Sequence, residues 1–350
     1  MIMGGRAFPM GRMVNMSVKV GINGFGSIGR RFLRVARQRQ GMQVAAVNDL
    51  TDPATLAHLL KYDSSYGTLD EQVTTTADSM TVGDSRIQVT SERDPARIPW
   101  KELGVQVVIE ATGRFRDRQR VATHLDPGGA RKVIICAPAK DEDLTVVMGV
   151  NHKSYDPARH HILSNASCTT NCLAPVAKVL NDEFVIANGM MTTVHAYTND
   201  QVLLDLQHSD LRRARAAALS VIPTSTGAAS AISTVLPELK GKLNGFAFRV
   251  PTPMVSVLDL VVNVERPATA EKVNAAMRRQ AAGAMQGILS VSEVPLVSTD
   301  FKGNRHSAVV DALLTMVVGD MVKVVAWYDN EWAYCERVAD VVEQVMAHRL

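Results

Sequence analysis

The chain has 350 residues, 46% apolar and 21% charged, enough for two domains that each bury a core. Its net charge of +3 is too small to argue for a specific nucleic-acid partner, and the densest basic cluster, Arg212, Arg213 and Arg215, suits a small anion equally well. Four cysteines are too few and too irregularly placed for a disulfide framework, and no apolar run approaches the ~20 residues of a membrane span, so a cytoplasmic location away from membranes is expected.

Residues 1–17 lack periodicity and acidic side chains, and they lack the continuous apolar core of a signal peptide; they are expected to be a disordered tail or a targeting segment. Residues 18–23 are β-branched and predict a strand. A glycine-rich turn, Gly24-Phe25-Gly26-Ser27-Ile28-Gly29, follows it, and residues 30–40 have helical spacing, with Phe32, Leu33, Val35 and Ala36 on the inner side. A second strand is expected at 44–48, a helix at 53–62, strands at 105–110 and 132–136 with a helix at 117–125 between them, and a closing strand at 145–150. Continuous apolar strands of this kind suit a parallel sheet covered on both faces.

The pattern changes near Cys168. A helix is expected over 169–181, then longer strands at 190–195, 245–250, 255–264, 309–317 and 322–328, several of them alternating. That predicts a mostly antiparallel sheet with one exposed face. Residues 331–348 carry a helical stripe of Val338, Val341, Val342 and Val345, expected to pack back on the first domain.

The glycine turn follows a strand and opens a helix, and Asp49 ends the next strand about twenty residues later, which is the context of a dinucleotide fingerprint. Gly24 suits the tight turn, Gly26 the close approach of a pyrophosphate, and Gly29 close helix–strand packing. Free N–H groups at the helix start favour phosphate. Asp49 would accept the two ribose hydroxyls of NAD and repel the extra phosphate of NADP.

In Ser164-Asn165-Ala166-Ser167-Cys168-Thr169-Thr170-Asn171-Cys172, a thiol sits at a helix start, where thiolate is favoured. The helix field is worth about one pKa unit or less, so a second partner is required. His195, which ends an apolar strand, is the best candidate among the nine histidines. Cys168 and Cys172 lack a second Cys or His pair, so no metal is expected, and Cys172 reads as a small buried residue.

With these residues in view, the chain resembles the phosphorylating glyceraldehyde-3-phosphate dehydrogenases from Val18 almost to its end. The matching runs include INGFG, LAHLLKYDS, NASCTTNCLAP, TTVHAYTNDQ, DLRRARAA, STGAA, PELKGKLNG, RVPTP and WYDNEW. The resemblance implies a Rossmann-type doubly wound α/β domain for NAD over 18–167 and an α+β catalytic domain with a mostly antiparallel sheet over 168–330. A helix over 331–350 would return to the first domain. It implies Cys168 as nucleophile and His195 as base, acting on glyceraldehyde 3-phosphate through a thiohemiacetal and a thioester that inorganic phosphate attacks. Thr198 and Arg249 would hold the substrate phosphate. Ser167, Thr169, Thr226 and Gly227, with Arg213 nearby, would hold the attacking phosphate. Phe25, Gly26, Ser27, Ile28, Asp49, Arg93, Thr112, Cys136, Asn330 and Tyr334 would contact the cofactor, and the chain would form a homotetramer.

Four positions depart from the family pattern: Ser27, where Arg is usual; Cys136 and Cys335, where Ser is common; and Gln207, where strictly NAD-using members often have Pro. The last leaves room for NADP beside the preferred NAD. Erythrose-4-phosphate dehydrogenase is the nearest enzymatic alternative, disfavoured by Thr198 and Thr226. A redox sensor or RNA-binding protein on the same scaffold is the alternative of another class, disfavoured by the intact thiol, base and phosphate set.

Overall fold

The computed structural model describes residues 17–348. Apart from Ser17, the expected tail lies outside the described residues. In chain order the first part runs β1 (Val18–Asn23), α1 (Ser27–Ala36), β2 (Met42–Asn48), α2 (Pro53–Lys61), a hairpin of β3 (Tyr62–Asp63) and β4 (Gly67–Thr68), β5 (Val73–Thr75), β6 (Ser79–Val82), β7 (Ser85–Thr90), β8 (Val107–Glu110), α3 (Arg118–Val121), β9 (Lys132–Ile135), β10 (Leu144–Thr145) and β11 (Ile162–Ser164). Nine of these strands form one sheet in the order β10-β11-β9-β8-β1-β2-β7-β6-β5. It is parallel from β10 to β7 and antiparallel at the β7-β6-β5 edge. β8 and β9 are buried along their whole length, as expected for strands covered on both faces. The chain leaves β1 for β2 on one side and later returns to β8 on the other. That reversal opens a crevice at the carboxyl ends of the strands, where ligands of such sheets bind.

The second part runs α4 (Cys168–Phe184), β12 (Ile186–Ala196), β13 (Ile222–Thr224), α5 (Ala228–Val235), β14 (Leu243–Val250), β15 (Ser256–Val264), α6 (Ala270–Ala282), β16 (Leu289–Ser292), β17 (Ala308–Asp311), β18 (Met316–Val318), β19 (Met321–Tyr328) and α7 (Trp332–Ala347). Its sheet has the order β13-β14-β12-β15-β19-β17-β16, with β18 also paired to β19. Pairing is antiparallel except between β12 and β14 and between β16 and β17. α4, α5 and α6 cover one face and share a core with Leu258, Leu260 and Val262 of β15. α7 crosses back: Tyr334, Cys335, Val338, Ala339, Val341, Val342 and Val345 join the core of Val20, Ile22, Phe32 and Leu33 in the first part.

Several expectations from periodicity are corrected. The strand expected at 145–150 is limited to Leu144–Thr145. The Asn151 side chain accepts from the Val147 amide at 2.8 Å and donates to the Thr145 carbonyl at 2.8 Å, taking the place of a ladder partner. β11 fills that part of the sheet instead. The strand expected at 309–317 breaks after Asp311, whose carboxylate accepts from the Leu313 amide and from the Trp327 indole. The helix expected at 30–40 begins three residues earlier, inside the glycine turn, and ends at Ala36. The helix expected at 117–125 is one α-helical turn followed by a 3-10 turn.

Candidate active site

Five loops leave the carboxyl ends of the parallel strands on one side of the first sheet, and several of the expected site residues lie on them. The glycine turn follows β1, Asp49 follows β2, Thr112 follows β8, Cys136 follows β9 and Ser167 follows β11. Gly24 has φ +90°, and a Cβ there would meet the Thr112 amide nitrogen at 2.7 Å, so the turn admits no side chain. Gly26, the N-cap of α1, faces open space instead, and no side chain caps the first turn of that helix. Its amides are therefore available to an anion. Asp49 accepts the Phe25 amide at 2.7 Å and the Thr51 amide at 3.0 Å, which fixes its carboxylate against the turn.

Two cavities flank this turn. One, of about 330 Å³, is lined by Asn23, Gly26, Asp49, Arg93, Thr112 and Arg114. The other, of about 250 Å³, is lined by Ser27, Ile28, Cys136, Ser167, Cys168, Thr198, Asn330, Glu331 and Tyr334, among others. The glycine turn thus contributes to both, as a site for an extended dinucleotide requires. The residues fit NAD: amides for the pyrophosphate, a carboxylate for ribose hydroxyls, and Asn330 and Tyr334 beside the sulfur.

In the second cavity, Cys168 Sγ lies 3.4 Å from His195 Nε2. The two arrive from different elements. Cys168 opens α4 behind Ser167, whose hydroxyl accepts the Thr170 amide at 3.0 Å, and Ala166 turns the chain with φ 54°. His195 lies near the end of β12, beside the Ala196 carbonyl and Arg249 Nη1, with its ring edge-on to Tyr328. The Tyr328 hydroxyl meets the hydroxyls of Thr169 and Thr193, each at 2.8 Å, and so ties the start of α4 to β12.

Burial pushes the Cys168 thiol up, opposed by Arg249 and by the hydroxyl and amide of Thr169, while Glu331 adds to the rise. Burial pushes the His195 imidazole down to about 3, and Arg249 adds to that fall. Neither group would carry a charge alone at neutral pH. Opposite charges about 4 Å apart attract by about 4 kcal/mol at a protein's effective dielectric, about three pKa units. Each charge favours the other, so the two protonation states are coupled across the 3.4 Å contact.

Three of the expected phosphate ligands, Arg249, Thr198 and Arg213, are linked through Asp200. Arg249 Nη1 donates to Thr198 Oγ1 at 2.9 Å and to the Ala196 carbonyl at 3.1 Å. Asp200 accepts from the Thr198 hydroxyl and pairs with Arg213. Arg213 also donates to Thr224 Oγ1 and to the Ser225 carbonyl, which places it against the loop carrying Thr226 and Gly227 before α5. Ser167 and Thr169 flank the nucleophile.

Comparison with known proteins gives the family. The family model described as glyceraldehyde 3-phosphate dehydrogenase, NAD binding domain, matches residues 18–118, and the corresponding C-terminal domain model matches residues 167–330. The glyceraldehyde-3-phosphate dehydrogenase of Geobacillus stearothermophilus is 59% identical over 336 residues, 96% of this chain and 100% of that one. Glyceraldehyde-3-phosphate dehydrogenase 1 of Bacillus subtilis is 59% identical over 331 residues, 94% and 98% of the two chains. That of Streptomyces avermitilis is 57% identical over 327 residues, 93% and 98%. The chain belongs to the glyceraldehyde-3-phosphate dehydrogenase family.

Residues outside the expected set complete the site. Glu331 and Arg116 line the cavity that holds Cys168. Glu331 pairs with Arg31 at 3.1 Å, and burial holds its carboxyl above the ordinary range. Ser256 donates to Asn330 Oδ1 at 3.1 Å and accepts from the Ala196 amide at 3.1 Å, which leaves the Asn330 amide nitrogen free to donate into the cavity. The sequence pattern marks Tyr328 only as the end of a strand. The WYDNEW run carried a signal for Glu331; nothing local in the sequence marks Ser256.

Proposed function

We propose that the chain is a phosphorylating, NAD-dependent glyceraldehyde-3-phosphate dehydrogenase in which Cys168 is the nucleophile and His195 the general base. The approach of sulfur to imidazole at 3.4 Å, in a cavity shared with Ser27, Ile28 and Asn330, carries this reading.

Cys168 Sγ adds to the aldehyde carbon of glyceraldehyde 3-phosphate. Its proton passes to His195 Nε2 and from there to the carbonyl oxygen, which becomes the hydroxyl of a thiohemiacetal and leaves the imidazole neutral. The first amides of α4 face the growing negative charge on that oxygen. His195 then removes the hydroxyl proton as the carbon is oxidised to a thioester on Cys168. NAD, when bound by the glycine turn, Asp49 and Asn330, supplies the hydride acceptor. Inorganic phosphate, held by Ser167, Thr169, Thr226, Gly227 and Arg213, displaces the sulfur to give the acyl phosphate. Thr198 and Arg249 hold the phosphate of the substrate, with the Arg fork suited to an oxyanion.

NAD is favoured over NADP because the fixed Asp49 carboxylate repels a 2′-phosphate. The chain assembles as a homotetramer: Leu203, Leu204, Leu206, Leu211 and Leu219 are exposed on one segment, an apolar surface that a subunit interface would cover. A reducing, cytoplasmic location suits four free cysteines. The test is NADH production from the three-carbon and four-carbon aldehyde phosphates, with and without inorganic phosphate and with each cofactor. Phosphate-dependent turnover of the three-carbon substrate is expected, with NAD ahead of NADP in kcat/KM. Preference for the four-carbon sugar, or no phosphate dependence, would overturn the assignment. Light scattering should give four times the 38.0 kDa chain mass.

A further inference from the structure

A buried chain of hydrogen bonds ends in the wall of the cavity assigned to the adenosine half of the cofactor. Trp100, fully buried, packs its ring so closely on β1 that a Cβ at Gly21 would lie 2.5 Å from it. The Trp100 Nε1 hydrogen can only donate, and it points at His124 Nδ1 at 3.0 Å. Nδ1 is therefore an acceptor, and the ring hydrogen sits on Nε2, 3.1 Å from Glu110 Oε2. His124 and Glu110 are 0% and 1% exposed.

Glu110 is the hub. Its Oε2 also accepts Asn23 Nδ2 at 2.6 Å, while Oε1 accepts the Thr112 amide at 2.9 Å and the Thr112 hydroxyl. From there the network spreads around the cavity. Asn48 Nδ2 donates to Asn23 Oδ1 at 2.8 Å and to the Glu92 carbonyl at 2.9 Å, Asn48 Oδ1 accepts the Glu92 amide at 2.8 Å, and Thr112 Oγ1 accepts the Arg114 amide at 3.1 Å. Asn23, Asn48, Glu92, Thr112 and Arg114 all line the cavity. Glu110 itself is not among the lining residues.

We infer that Glu110, fixed by the Trp100–His124 pair, is the positioning residue that sets the adenosine-side wall and hence the affinity for the dinucleotide. This rests on the nicotinamide-cofactor reading above. A carboxylate suits the hub because its two oxygens accept from four donors at once. An amide at the same position would replace two of those acceptor sites with hydrogens facing donors, and a fully satisfied buried network loses more than one bond when one member changes. His124 supplies the only one of those four donors that comes from outside the cavity wall. The indole selects the tautomer that donates it.

The test compares Glu110→Gln, His124→Gln and Trp100→Phe with the parent tetramer. The binding of NAD and of AMP alone is measured by calorimetry, with steady-state kinetics beside it. Glu110→Gln should raise the dissociation constants of NAD and AMP by the same factor, about tenfold or more, and raise KM for NAD with kcat at saturation nearly unchanged. Trp100→Phe, which keeps the ring packing, should show the same pattern more weakly and covers the case in which Glu110→Gln does not fold. A folded Glu110→Gln protein that binds AMP within twofold of the parent overturns the inference, as does a fall in kcat with KM for NAD unmoved. A parent protein that binds neither nucleotide refutes the cofactor reading itself, so the two failures are distinguishable.

Discussion

Cys168 and His195 come from opposite ends of two elements, and each is neutral without the other. His195→Asn should therefore move the pH at which iodoacetamide labels Cys168 upward, because burial raises a thiol that has lost its counter-charge. Turnover should fall by about 10²–10⁴, the usual worth of a positioned general base. An unchanged labelling profile would show that the imidazole does not sustain the thiolate. The converse holds for Cys168→Ser, which removes the sulfur that could hold an imidazolium. There His195 should stay neutral to a pH of about 3, against an ordinary 6.5. The sign for stability follows. Below about 6.5 the unfolded imidazole takes up a proton that the folded one refuses, so stability falls with pH across that window, by about 2 kcal/mol at pH 5. Urea midpoints of Cys168→Ser should show this fall, and those of Cys168→Ser/His195→Asn should lack it.

At the scale of elements, the start of α4 serves two ends. Ser167 caps the helix and flanks the nucleophile, so Ser167→Ala should cost about 1 kcal/mol of stability and also raise KM for inorganic phosphate. Denaturant midpoints and phosphate kinetics measured on the same preparation separate the two effects. Loss of stability with phosphate KM unmoved would confine Ser167 to the cap. Elements of this kind were legible because their signals are local: β1, the glycine turn and the Ser-Cys helix start carry type and spacing in consecutive residues. What was not legible depended on distant partners. Residues 145–150 are as apolar as a strand, but Asn151 captures their backbone. Among the strands at 73–90, β5 is short, polar and exposed at the sheet edge, and β5 and β6 join the sheet through β7, which pairs with β2. Ser256 and Tyr328 became part of the site through contacts with Asn330 and Thr169, more than seventy residues away in each case.

For the whole molecule, α7 is the joint between the two sheets. Its Arg337, 3% exposed, donates to the Gly287 carbonyl at 2.9 Å and to Ser307 in the second part, and pairs with Asp340 at 2.8 Å on its own helix. Burial already holds the Asp340 carboxyl above its ordinary value against the pull of Arg337 and Arg39. Arg337→Leu should therefore destabilise by about 3 kcal/mol, because it leaves the Asp340 carboxyl with Arg39 alone as well as cutting the link between the sheets. Thermal denaturation should show the drop, and its recovery in Arg337→Leu/Asp340→Asn would identify the under-compensated carboxylate as its main source.

The same helix sets a timetable for biosynthesis. Residues of α7, Val338, Val341, Val342 and Val345 among them, complete a core whose members outside this helix, from Val18 to Leu163, leave the ribosome long before them. At 5–20 residues per second, the gap between β11 and α7 is roughly ten to thirty seconds. Throughout that interval the nascent nucleotide-binding half presents a bare apolar groove to its surroundings. The half synthesised first thus gains its last core residues only once α7 has emerged.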